Sequence, residues 1–196
     1  MPDLYPYVVS SLPMLHFGMK PPFSTERFLE MCHTFIPEED YRLLSTVPEP
    51  GEYPVQGRSH RAIRRWVGFD TALRNDLVRV RAGRLRREPG PDLRPEGDRD
   101  ATLAPAVMAA ALQASPLEAE RALDELRWKA LEELAKGHPF DLDTLVAYAC
   151  QLRILERWEH IRSADRAALL GQVLSAVPTG RPCWDRCSRR REGSHD

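Results

Sequence analysis

Apolar residues recur along most of this chain at steps of three and four, and the longest such run lies late, in FDLDTLVAYACQLRILERW, residues 140–158. Leu142, Leu145, Ala149 and Leu152 form one row, and Ala147, Cys150, Ile154, Trp158 and Ile161 form a second about a third of a turn away. A helix with two apolar rows is contacted from two sides, so the pattern predicts a central, buried helix. Asp141 follows the breakers Gly137 and Pro139 and serves as its N-cap.

The earlier chain reads as shorter helices. Between Tyr5 and Leu15, β-branched and aromatic residues flanked by Pro6 and Pro13 predict a short extended segment lying on the core. Ser24 caps a helix through about Phe35, and Pro37 opens another in PEEDYRLL. VPEPGEYPVQG is a loop. From about Ser59 to Arg87 a long helix carries Ile63, Trp66, Phe69 or Val67, Leu73, Leu77, Val80 and Leu85, with Gly68 as a point where it could divide in two. Residues 88–100 are rich in proline, glycine and charge and read as an exposed linker. Thr102 caps a helix through Ala114. Ser115-Pro116-Leu117-Glu118 is a capping box for the next, whose stripe is Leu123, Leu126, Ala130, Leu131 and Leu134. Ser163 caps a last helix bearing Leu169, Leu170, Val173 and Leu174, and residues 178–196 lack any periodic pattern. The fold expected is all-α, an irregular multi-helix bundle around a central buried helix. A single domain at 1–177 has a short extended N-terminal segment and is followed by a disordered C-terminal tail.

Composition changes this picture little. With 196 residues and 42% hydrophobic content the chain can bury one core. The net charge of −1 conceals a segregation: arginine is concentrated between Arg58 and Arg87, acid in residues 37–52 and 118–143. No apolar run approaches the length of a membrane span, and the first residues lack a positively charged start and a cleavage site, so the expected location is cytoplasmic. Cys32 and Cys150 fall in helical apolar patterns and Cys183 and Cys187 in the tail, which is no disulfide framework.

Candidate chemistry is sparse. The chain contains no GxxxxGK[ST], GxGxxG or GxSxG, and so no ordinary nucleotide hydrolase, dinucleotide enzyme or serine hydrolase signature. His33, His138 and His160 read as surface histidines without spaced partners. Cys183 and Cys187 with His195 fall short of the four ligands of structural zinc. The expectation is therefore a non-enzyme with no cofactor and no metal. The arginine-rich helix alone asks for a partner. Its arginines either pair with acids of the same domain, or dock on an acidic protein, or meet nucleic acid. The last is disfavoured by the lack of interleaved aromatics and of overall basic charge.

Three stretches, PYVVSSLPML, RRWVGFDTALRNDLVRVRAGRL and FDLDTLVAYACQLRILERW, together resemble an uncharacterised bacterial family of small helical proteins encoded beside V/A-type ATPase genes. More distantly the chain resembles the C (d) subunit of those rotary machines, though it is too short for that subunit's three-part funnel. The resemblance implies V/A-type ATPase subunits as partners and the role of a component or an assembly or accessory factor. It places the chain in the cytoplasm or, through the ATPase complex, at the inner face of the membrane. It also implies that Arg74, Asn75, Arg79, Arg81 and Arg84 form a face used structurally or for docking, with Asn75, locally disfavoured in a helix, given a hydrogen-bonding task. An Arg-dependent nucleic-acid-binding regulator is the alternative.

Overall fold

The computed structural model describes residues 5–47, 60–94 and 102–164. Within them run α1 (Pro6–Ser11), α2 (Thr25–His33), α3 (Glu38–Ser45), α4 (Arg61–Leu85), α5 (Leu103–Ala111), α6 (Pro116–Ala135) and α7 (Leu142–Ser163). One turn of 3-10 helix at Gly90–Asp92 follows α4, and no strand occurs among the described residues. The architecture is all-α, as the apolar periodicity predicts. All of the proline-rich loop after Val47, residues 95–100 of the linker, the helix expected around Leu169–Leu174 and the tail with Cys183 and Cys187 lie outside the described residues.

Backbone contacts divide the chain into Met1–Glu159 and His160–Asp196. Of the second unit, the described part is the end of α7 and Ala164, whose N–H donates to the His160 carbonyl at 2.9 Å. Ser163, expected to begin a helix, is the final residue of α7. Ile161, assigned to an apolar row, is 41% exposed.

In the first unit, α7 is the centre. Both of its apolar rows are inside as far as Trp158, and so are Val146, Tyr148 and Leu155, so that nearly the whole circumference is covered. The Asp141 carboxylate accepts the N–H of Asp143 at 3.1 Å, which confirms the cap. Farther along, the Glu156 carboxylate accepts the Thr25 N–H at 2.8 Å, while Ser24 Oγ accepts from Arg27 at 3.2 Å. Two first-turn N–H groups of α2 are thus satisfied by side chains, and a negative charge faces the positive end of that helix.

Two expectations fail in instructive ways. The N-terminal segment begins as helix α1 and becomes extended only at Leu12. Pro6 stands at the start of that helix, where its missing N–H costs nothing, and Val8 is buried. Tyr5 anchors the segment through its N–H to the Phe140 carbonyl at 2.5 Å and through its hydroxyl to Asp40. These long-range contacts outweigh the β preference of Val8-Val9. Gly68, in turn, does not interrupt α4, which is continuous from Arg61 to Leu85. A glycine weakens a helix by only ~1 kcal/mol, and Trp66 and Leu73 on either side are held in apolar cores.

Those two cores are distinct. The larger joins α1, α2, α3 and α7 with Ala62, Ile63 and Trp66 of α4 and Trp128, Leu131 and Leu134 of α6. The smaller joins Ala72 and Leu73 of α4 with Leu103, Val107 and Ala110 of α5 and Leu123 of α6. Helices α4 and α6 therefore cross from one core to the other, and the residues at each crossing, Asp70 on α4 and Asp124 and Arg127 on α6, are charged and buried.

Candidate functional site

The arginine-rich helix does not present one uniform face. Arg74 Nε pairs with Asp70 at 2.8 Å and Arg79 with Asp76 at 2.5 Å, both one turn back on the same helix. Arg84 donates through Nη2 to the carbonyl of Ala111 at 2.7 Å, tying the end of α4 to the end of α5. Arg81 is exposed and has no ion pair or hydrogen bond among the described residues. Asn75 is buried, and its amide closes a reciprocal pair with the backbone of Arg94: Nδ2 donates to the Arg94 carbonyl and Oδ1 accepts the Arg94 N–H, each at 2.9 Å. The hydrogen-bonding task inferred for Asn75 is thus to hold the segment after the 3-10 turn against α4.

Behind this helix lies a buried ionic network. Arg127, 4% exposed, bonds Asp70 Oδ1 through Nε and Asp124 Oδ1 through Nη1, both at 2.8 Å. Asp124 Oδ2 accepts from Trp158 Nε1 at 2.8 Å and from Arg157. Burial works against the charge of Arg127, but attraction and hydrogen bonding from Asp70, and then from Asp124, outweigh it and raise its pKa above the ordinary arginine value. Both carboxylates are shared between arginines, and each of their oxygens is engaged. Asp124 and Arg127 stand one helical turn apart, the spacing of an ordinary surface ion pair, and the apolar stripe expected on α6 contains neither.

The network opens into a cavity of about 340 Å³ lined by Arg74, Asn75, Arg81, Arg94, Arg127 and Arg157, with Leu77, Val78 and Leu123 as its apolar wall and Asp92 and Glu120 also facing it. Three of the five residues expected from the sequence, Arg74, Asn75 and Arg81, therefore meet in one place. Arg79 and Arg84 do not join them there. A second, larger groove of about 610 Å³ runs along the first half of α4, with Trp66, Phe69, Ala72, Leu103 and Leu134 in its lining.

A third polar cluster joins the starts of α4 and α7. His138 Nδ1 lies 2.7 Å from Asp141, and Arg61 bonds Asp143 through Nε at 3.0 Å. His60 Nδ1 lies 3.3 Å from the other oxygen of Asp143. Arg61 Nη2 is 3.0 Å from both nitrogens of the His138 ring, a placement over the ring rather than a bond to either atom. His138 is thus no isolated surface histidine; the signal for its partners was the spacing in HPFDLD. His138, Asp141 and Asp143 bring ligand-type atoms within 4.8 Å of one another. The Arg61 guanidinium already occupies the carboxylate edge that a cation would need, so the cluster acts as a clasp between two helix starts.

Neither described thiol is a nucleophile in waiting. Burial pushes both Cys32 and Cys150 up to about 12, which keeps them protonated at neutral pH. No helix among the described residues is long and apolar enough to cross a membrane. No curated protein and no solved structure matches the chain. Residues 105–176, which include α6 and α7 and most of α5, are similar to a family described as a protein of unknown function, DUF2764.

Proposed function

We propose that this chain is a non-enzymatic docking protein, a component or assembly factor of a bacterial V/A-type ATPase, which presents the C-terminal end of α4 to an acidic face of an ATPase subunit. The observation that carries the docking part is a mixed basic and apolar surface. Leu85 and Leu112 are each 67% exposed, at the ends of the two helices that the Arg84 bond to Ala111 ties together. Arg81, Arg86 and Arg87 stand exposed beside Leu85. Apolar side chains ringed by arginine are the usual make-up of a protein interface, and the unpaired charge steers an acidic partner toward it. The partner class rests on the resemblance of the three stretches described above. The saturated carboxylates and protonated thiols favour a role in holding and docking over one in chemistry. The test is capture of partners on the immobilised full chain with and without nuclease. Retention of ATPase subunits, unaffected by nuclease, is the expected result. Retention that nuclease abolishes would contradict it and favour the Arg-dependent nucleic-acid-binding regulator.

A further inference from the structure

We propose that the cavity between α4, the segment after the 3-10 turn, and α6 and α7 binds a small, soluble phosphate monoester through its arginines. Five guanidinium groups line it, those of Arg74, Arg81, Arg94, Arg127 and Arg157. The carboxylates around them are unequal competitors. Asp70 and Asp124 are buried behind the wall, and each has both oxygens engaged by arginine or Trp158. Glu120 lies 3.8 Å from Arg157, at the half-exposed rim. Asp92 also faces the cavity, so five guanidinium groups meet two carboxylates in the lining, and with Asp70 and Asp124 behind it the positive groups still exceed the negative by one.

The arginines are also held in place. Arg127 has Nε and Nη1 fixed by two carboxylates, while its Nη2 makes no hydrogen bond among the described residues. Arg157 is fixed by Asp124. A guanidinium already ordered by its own partners loses little rotamer freedom when a ligand arrives, and its planar fork suits the oxygens of a phosphate. Asn75 completes the arrangement: its two bonds to the Arg94 backbone deliver that residue to the cavity wall, which gives a reason for a buried amide in mid-helix. A volume of about 340 Å³ exceeds the needs of a bare anion, and Leu77, Val78 and Leu123 offer apolar contact to a short organic body. Arg81 belongs to this cavity and to the proposed docking surface alike, whereas Arg94, Arg127 and Arg157 line the cavity alone, so Arg94→Gln tests phosphate binding without touching docking.

The experiment is calorimetric titration of the full-length protein with inorganic phosphate at fixed ionic strength, with chloride as the control anion. Saturable binding of one phosphate is expected. Arg81→Gln and Arg94→Gln, which leave the buried network and both Asn75 bonds intact, should each weaken it by about tenfold, equivalent to about 1.4 kcal/mol. Arg64→Gln, on the other half of α4, should bind as the parent does. Absence of saturable binding overturns the proposal. So does an equal loss in all three variants, which would mean diffuse charge, or unaltered binding in Arg81→Gln and Arg94→Gln, which would put the phosphate elsewhere.

Discussion

At the scale of single residues, charge and amide groups inside the protein have definite partners, and their removal is costly. Asn75→Ala leaves the N–H and carbonyl of Arg94 without their partners, and should lower unfolding free energy by about 1–3 kcal/mol in urea titration. A loss below a few tenths would mean that water replaces the amide. The thiols set a pH limit. Cys32 and Cys150 are raised by burial from 9.0 to about 12, and Tyr148, by burial and then by the neighbouring Cys32, from 10.0 to about 12. Folded-state values above the unfolded ones mean that the unfolded chain loses protons first as pH rises. The stability they contribute is complete below about pH 9 and is lost between about 9 and 12. The guanidinium midpoint should therefore fall from pH 8 to pH 10.5, and fall less in Cys150→Ala. An unchanged midpoint would show that these groups ionise freely in the folded protein. Asn75 was legible in the sequence, because asparagine in mid-helix asks for a bond. Asp124 and Arg127 were not, because one helical turn of separation is also what an ordinary surface pair shows.

At the scale of elements, α7 is the best test of reading periodicity. Its two apolar rows and its Asp141 cap were plain in the residues, and Leu152 and Ile154 are fully buried. Leu152→Ala should cost about 2–5 kcal/mol, measured by chemical denaturation; a cost under 1 kcal/mol would mean that the helix is not the packing centre. The misreadings come from contacts between elements. Helix α1 is set by Tyr5 reaching Phe140 and Asp40, partners more than thirty residues away, which no local propensity contains. Helix α4 runs through Gly68 because packing on both sides outweighs a small local penalty. The clasp of Arg61 and Asp143 likewise joins the beginnings of helices that lie far apart in the chain.

At the scale of the molecule, the described part of Met1–Glu159 has two apolar cores bridged by a buried ionic network, with a basic cavity on one side and a basic, leucine-bearing helix end exposed. Charge segregation along the sequence announced the arginines, but not their division into structural and exposed sets. Arg74, Arg79 and Arg84 have intramolecular partners, whereas Arg81 has none among the described residues. The docking surface proposed above is accordingly placed farther along α4 than the sequence suggested, toward Leu85. Whether this end of α4 binds an acidic surface of a V/A-type ATPase subunit, as proposed, is decided by the affinity of Arg81→Glu/Leu85→Asp for the captured subunit at low and high salt. Both side chains are exposed, so the melting temperature should stay close to the parent value. Binding should weaken at least tenfold at low salt, with the gap between variant and parent narrowing as salt screens the charge. Unchanged affinity at low salt in a normally folded variant would contradict the account.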